Sequence, residues 1–278
     1  MASEGKMKNF YSLFNGKKPV IGMIHLLPLP GSPHHKNSMK EIESAALHDL
    51  HALENGGANA AIIENFGDIP YTTQVSVVTF AAMCSIATKI AERASIPLGI
   101  NIQYNCVEYE WALACAIGAK FIRVEAFVEN RAGAHGVVYA TAAELMRLKA
   151  LYPSETMIFA DINAKHTTPL TNQPISLSVK EAIECGADAL ILTGTRTGVN
   201  PCIEDIVEVK ELTSDTPILL GSGINMANAA KYYESADGAI IGSSLKEDGD
   251  VFKRIDESRV KFFMKAVGSC QSYAKSQS

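Results

Sequence analysis

Pro217-Ile218-Leu219-Leu220-Gly221-Ser222-Gly223-Ile224-Asn225 and, further along, Gly238-Ala239-Ile240-Ile241-Gly242-Ser243-Ser244 share one pattern: a short apolar run, small residues, then a helical stretch. Apolar runs this short, bounded by glycine and asparagine, read as strands buried on both faces. Small residues at the strand end turn the chain, and glycine lets the backbone come close to a ligand. N–H groups left unpaired where a helix begins, with the helix dipole behind them, favour an anion. Gly221, Ser222, Gly223, Gly242, Ser243 and Ser244 are therefore candidate phosphate-binding residues. The steric needs of a tight turn would explain the same residues with no ligand at all.

The unit recurs upstream. Strand-like runs occupy residues 20–24, 60–63, 97–102, 121–124, 157–162, 189–193, 217–220 and 238–241. Amphipathic stretches follow at 39–54, 74–94, 107–117, 141–151, 179–185, 203–212, 225–234 and 252–267. Such alternation demands parallel strands joined by crossover helices, and eight units are the number that closes a barrel. Gly56-Gly57-Ala58, Ile117-Gly118-Ala119 and Cys185-Gly186-Ala187 each place a glycine where a helix should stop in the left-handed region. The expected fold class is α/β, a (β/α)8 TIM barrel; an open doubly wound sheet is the alternative that the strand count disfavours. The 278 residues fit one barrel domain, residues 1–278, with 1–18 as an N-terminal extension and 268–278 as a polar C-terminal tail. In that frame the two opening motifs supply the loops after strands seven and eight, the recurrent phosphate position of such barrels.

Composition narrows the function classes. A net charge of −5 offers no broad basic surface, so nucleic acid is not an expected partner. No apolar run approaches the roughly 18 residues of a membrane span, so no membrane partner is expected. The start of the chain lacks both a signal-peptide core and the arginines of a transit peptide, which points to a cytoplasmic protein. Six cysteines without a CxxC pair read as free thiols, with Cys84, Cys115 and Cys185 in helical patterns as core.

Stepping by two along each strand collects its inward face: Met23 and His25, Ile62 and Glu64, Asn101 and Gln103, Arg123 and Glu125, Asp161 and Asn163, Ile191 and Thr193. The polar members crowd the upper ends. Burying such groups without partners costs several kcal/mol, about 2–7 for a neutral polar group alone, so they need a reason to be there. A structural ion pair of Arg123 with Glu125 or Asp161 is one reason. The other is a catalytic bowl in which Glu64, Glu125 and Asp161 repel one another until at least one holds a proton and becomes a general acid. His25, Asn101, Arg123, Asn163, Lys165, His166 and Thr193 are the substrate-binding candidates around it, with Lys165 binding anions, neutralising Asp161 or forming a Schiff base. His25, Glu64, Asp161 and His166 could also meet around a divalent metal, although no motif has ligand spacing, so no metal ligand is assigned. Loops 26–38, 126–140 and 163–177 are long enough to be lids, with Arg131 and His135 swinging over a phosphate compound and Thr193-Gly194-Thr195-Arg196-Thr197-Gly198 beside it.

Val20-Ile21-Gly22-Met23-Ile24-His25-Leu26-Leu27-Pro28-Leu29-Pro30-Gly31-Ser32-Pro33 resembles the opening of the BtpA family. The resemblance continues in Ile63-Glu64-Asn65-Phe66-Gly67-Asp68, in Ala160-Asp161-Ile162-Asn163-Ala164-Lys165-His166 and in Gly221-Ser222-Gly223, covering roughly residues 18–267. It implies a barrel of the ribulose-phosphate-binding type and leaves the reaction open. One family member is a photosystem I biogenesis factor, which implies an assembly role as an alternative to catalysis.

Three functions follow as expectations. The first is an enzyme acting on a small phosphorylated sugar or ribosyl compound by isomerisation, C–C cleavage or glycosidic hydrolysis. The second is a barrel whose phosphate site holds FMN. The third is a non-catalytic binding or assembly factor on a barrel scaffold. The expected partner is a small phosphorylated metabolite, with a homo-oligomer also in view and no cofactor beyond FMN or a divalent metal.

Overall fold

The computed structural model describes residues 5–194, 200–213, 215–268 and 270. Its strands are β1 (Val20–His25), β2 (Ala60–Glu64), β3 (Leu98–Asn101), β4 (Phe121–Val124), β5 (Arg131–Gly133), β6 (Gly136–Val138), β7 (Met157–Ile162), β8 (Thr167–Pro169), β9 (Ala189–Leu192), β10 (Ile218–Leu220) and β11 (Gly238–Ile241). Eight of them close a parallel barrel in the order β1-β2-β3-β4-β7-β9-β10-β11, with β11 returning to β1. Each of the eight runs located in the sequence holds one barrel strand. Helices α2 (Met39–Gly56), α3 (Val77–Ala91), α4 (Val107–Ile117), α5 (Ala142–Leu151), α6 (Ile175–Glu184), α7 (Ile203–Leu212), α8 (Ala229–Ser235) and α9 (Glu257–Val267) provide the crossovers and the closing helix.

Local chemistry sets these elements. The Ser38 side chain accepts from the Glu41 N–H while the Glu41 carboxylate accepts from the Ser38 N–H, a reciprocal cap that starts α2. Gly57, at φ +88°, ends it. Ser38→Ala should therefore cost about 1 kcal/mol and lower the thermal midpoint by a few degrees at most, measured by calorimetry. Glycine elsewhere makes room: a Cβ on Gly22 would lie 2.2 Å from Leu53 of α2, and one on Gly99 would lie 2.2 Å from the Phe121 ring.

The inward faces follow the period of two. Ile21, Met23, Ala60, Ile62, Phe121, Phe159, Ala189, Ile191, Leu219 and Ile240 form one buried cluster inside the barrel, with the polar residues above it. The N-terminal extension expected for residues 1–18 contains α1 (Lys6–Leu13), which closes the lower end of the barrel. Phe10 is fully buried, its ring 5.8 Å from Phe159 and 4.9 Å from Phe14, while Phe121 and Phe159 stack at 4.6 Å. Met7, Phe10, Tyr11 and Phe14 stand at helical spacing and form the apolar stripe that faces the barrel.

The long loops are structured. β5, β6 and β8, drawn from loops 126–140 and 163–177, pair into a separate antiparallel sheet in the order β6-β5-β8. Loop 26–38 is pinned to the turn after β2, where the Asp68 carboxylate accepts from the Leu29 N–H at 2.8 Å. Cys115 and Cys185, expected in the core, are exposed, Cys115 on α4 away from the core and Cys185 at the C-terminal cap of α6; the cysteines among the described residues are free thiols. No helix among the described residues is long and apolar enough to cross a membrane.

Candidate active site

A cavity of about 430 Å³ opens at the C-terminal end of the barrel strands, where Glu64, Gln103, Arg123, Glu125, Asp161 and Lys165 line its floor and lower wall. The end of β2 supplies Glu64, β4 and the residue after it supply Arg123 and Glu125, β7 supplies Asp161, and the following turn supplies Lys165. All of these are inward positions of the period-two reading except Lys165, which the turn after β7 folds back over the mouth. Upper walls come from Phe66, Tyr71, Tyr104, His135 and Phe252.

Arg123 and Asp161 are both buried, and they pair bidentately: Nε donates to Oδ1 and Nη2 to Oδ2, each at 2.9 Å. Both Asp161 oxygens are thus committed to Arg123. A planar guanidinium suits this because its paired N–H groups match the spacing of a carboxylate. Glu125 has a different environment. Its Oε1 accepts from the Asn101 side chain at 2.8 Å, whereas its buried Oε2 has no hydrogen-bond partner. Burial pushes the Glu125 carboxyl up to about 8; Arg123 and the Asn101 hydrogen bond oppose the rise, while Asp161 and Glu64 add to it. Glu125 is therefore protonated at neutral pH and can donate through Oε2 to a guest.

Glu64 is likewise raised, chiefly by burial, with Arg123 and Lys165 pulling it back. Lys165 is half-buried and its ammonium is lowered by burial, with Arg123 adding to the effect. One strand away, Asn101 joins Glu125 to a further carboxyl that the strand reading could not reach. Its Nδ2 donates to Glu125 at 2.8 Å and lies 3.5 Å from Glu110 Oε1 on α4, which also accepts from the Ile102 N–H at 3.2 Å. Glu110 is fully buried and burial holds its carboxyl well above the usual range. The sequence shows Glu110 only as one acidic residue of a helix; its inward direction depends on how α4 packs on β3.

The candidate phosphate residues surround a notch of about 50 Å³ that shares Glu64, Phe66, Arg123, Lys165 and Val251 with the larger cavity. Its lining includes Gly221, Ser222, Gly223, Gly242, Ser243 and Ser244. At roughly 10–15 Å³ per water, that volume is on the scale of one phosphoryl group. A Cβ on Gly221 would lie 2.5 Å from the Ile191 side chain, and Gly223 has φ +72°, so packing calls for the first glycine and backbone conformation for the second. The helix start after β10 does not leave its amides open to an anion. Asn225 and Asn228 side chains accept the Asn225, Ala227 and Asn228 N–H groups ahead of α8, so these amides are spent internally. Ser222 Oγ accepts from the Gly194 N–H, and Ser244 Oγ donates to the Ile224 carbonyl. What the notch offers an anion is close backbone approach, Ser243, and the nearby Arg123 and Lys165 cations.

Other expected site residues serve as props. Thr193 Oγ1 accepts from the Lys165 N–H at 3.1 Å and donates to the Asn163 carbonyl at 3.3 Å, holding the turn that carries Lys165. Asn163 Oδ1 accepts from Arg131 Nη2 at 2.9 Å. Arg131, expected to swing over a ligand, is 1% exposed and bonded to Glu129, Asn163 and Thr167, so it clamps the β5–β8 sheet instead. His135 does reach the cavity and stacks on Tyr104 with centroids 3.9 Å apart. His166 is exposed at the rim and lines the same cavity. Thr195, Arg196, Thr197 and Gly198 lie outside the described residues.

The metal reading of His25, Glu64, Asp161 and His166 does not survive the geometry. Among the described residues, no group of three or more His, Cys, Asp or Glu is placed to hold a metal ion. His25 stacks on Phe66 at 4.1 Å, and both Asp161 oxygens are taken by Arg123. Sequence reading passed over Phe66, Tyr71, Tyr104 and Phe252; their positions after strands β2, β3 and β11 were the available signal.

The BtpA family profile matches residues 16–269, through every barrel strand and the whole of the site just described. The chain belongs to the BtpA family. An uncharacterized protein of Methanocaldococcus jannaschii is 40% identical to it over 88% of this chain and 93% of its own length. The photosystem I biogenesis protein BtpA of Synechocystis is 34% identical over 93% of this chain and 91% of its own. Among solved structures, a mutant tryptophan synthase α-subunit of Pyrococcus furiosus superposes with a TM-score of 0.61 at 16% identity, covering 91% of this chain and 99% of that one. The N-(5'-phosphoribosyl)anthranilate isomerase of the same organism gives 0.56 at 14% identity, covering 90% and 99%. Similarities at this identity establish the barrel fold of this BtpA family member and no more.

Proposed function

We propose that the protein is an enzyme acting on a small phosphorylated sugar or ribosyl compound, with Glu125 as general acid and Glu64 as the second proton-transfer group. The observation that carries this reading is a buried carboxyl, protonated at neutral pH with one unpartnered oxygen, facing a cavity that adjoins an anion-sized notch. Arg123 keeps the bowl positively balanced, Asp161 orients Arg123, and Lys165 neutralises the negative charge of the bound compound. Isomerisation, C–C cleavage and glycosidic hydrolysis each need this pairing of a neutral acid with a second carboxyl group that can take the proton up. The structural neighbours whose names mention phosphoribosyl or tryptophan synthase chemistry share the fold and lend general support.

The test is a thermal-shift screen against inorganic phosphate, phosphosugars, their unphosphorylated parents, nucleotides and FMN. A ligand at 100 times its Kd stabilises by about 2.7 kcal/mol. Selective stabilisation by a phosphosugar over its parent supports the reading, no shift with any phosphate compound sinks it, and a yellow protein or an FMN-selective shift replaces it. Gly223→Asp should weaken phosphate binding at least tenfold by charge repulsion and obstruction; equal affinity by calorimetry would remove the notch from the site.

The name of the Synechocystis relative supports a second reading, a scaffold that assists assembly without chemistry. On that reading, Glu125→Gln leaves the biological role intact.

A further inference from the structure

A cavity larger than the catalytic bowl lies beside it near the mouth. It has about 650 Å³, between loop 26–38, the turn after β2 and the segment between β11 and α9. Lys36, Lys246, Lys253 and Arg254 line it together with His34 and His35, and no carboxylate does. In a chain of net charge −5, four cations around one hollow stand against the overall field.

The carboxylates that face these cations, Asp49 behind the wall and Glu247, Asp248 and Asp250 on the surface, are not part of the lining. Asp49, fully buried, lies 3.8 Å from Lys246 Nζ and 3.3 Å from Arg254 Nη1, so one carboxylate serves two cations. Lys246 is itself only 1% exposed and donates to the Lys253 carbonyl at 3.0 Å, a costly position for an ammonium with half a counter-charge. Lys253 pairs at the surface with Asp248. Lys36 has no ion pair among the described residues. The hollow is therefore lined by cations and by no carboxylate, together with the apolar surface of Leu26, Leu27 and Phe66.

Its position ties it to the site. Phe66 and Val251 line this cavity, the catalytic cavity and the phosphate notch alike, and His25 lies between this cavity and the notch. We propose that the cationic hollow is a second anion subsite, so that the ligand is a small metabolite with two anionic groups, one phosphate at the Gly223–Ser243 notch and a second phosphate or carboxylate beyond Phe66. This rests on the phosphosugar reading for the first group and adds the second.

The experiment uses the full chain and the matched probes fructose 6-phosphate, fructose 1,6-bisphosphate and inorganic phosphate, titrated by calorimetry. Two tethered groups gain from effective concentration, so the bisphosphate should bind at least tenfold more tightly than the monophosphate. Lys36→Glu/Lys253→Glu, a change of two exposed loop side chains, should abolish that gain, leave monophosphate affinity within twofold, and remove one equivalent of bound inorganic phosphate. Gly223→Asp should remove the other equivalent. Persistence of the bisphosphate gain in the charge-reversed variant, or an unchanged phosphate stoichiometry, overturns the subsite. Loss of monophosphate binding on Gly223→Asp together with no effect of the charge reversal leaves the catalytic reading standing and removes this inference alone; insensitivity to Gly223→Asp with full sensitivity to the charge reversal does the opposite.

Discussion

Arg123→Met is expected to destabilise the protein by about 3–5 kcal/mol at pH 7, the usual cost of stripping one partner from a buried ion pair. Arg123 is 3% exposed and makes both of its 2.9 Å bonds to Asp161, so the variant leaves a buried carboxylate with two unmatched oxygens. Glu64 also loses a cation that opposes its rise, which deepens the loss. Arg123→Met/Asp161→Leu should recover most of the stability, because removing both partners ends the desolvation penalty rather than exposing it. Urea unfolding of the three proteins measures this. A single-variant loss below about 1 kcal/mol would show that Asp161 is not dependent on Arg123, against its committed geometry.

Glu125→Gln is expected to change stability little at pH 5 and to raise it by roughly 2–4 kcal/mol at pH 8, at about 1.4 kcal/mol per pH unit. The sign follows from proton binding. The folded carboxyl keeps its proton up to about 8, while the unfolded one releases it near 4.5. Between those values the folded state binds more protons, so the stability contribution is whole below 4.5 and drains away as pH rises to 8. Glutamine has no proton to lose, and its side-chain oxygen can still accept from Asn101. On the proposed function, the same variant should also lower turnover of the phosphosugar that the thermal-shift screen selects by about 10²–10⁴. A stability difference that stays flat from pH 5 to pH 8 removes the protonated Glu125, and with it the acid.

Much of this molecule was legible in one dimension. Alternation of short apolar runs with amphipathic stretches located eight strands within one or two residues, because both periods are local properties of the chain. Period two along β4 placed Arg123 and Glu125 inside, and along β7 it placed Asp161 inside. The resemblance carried by residues 20–33 agreed with the family assignment over residues 16–269. Misreadings fell where spacing does not determine contact. Residues 1–18 read as an extension because the helical spacing of Met7, Phe10, Tyr11 and Phe14 gives a stripe but not the barrel floor it packs against. Arg131 looked like a mobile anion binder because loop length says nothing of the antiparallel pairing between residues 131–133 and 167–169.

By itself, then, the sequence determined the barrel, its inward faces and the glycine–serine turns at its mouth, since each depends on neighbours a few residues away. Only the tertiary structure decided that Arg123 belongs to Asp161, that Glu125 keeps an unpartnered oxygen beside Asn101 and Glu110, and that Lys36, Lys246, Lys253 and Arg254 converge on one hollow. Those pairings join strands, helices and loops far apart in the chain, and the depth of burial that sets their protonation is a property of the assembled core.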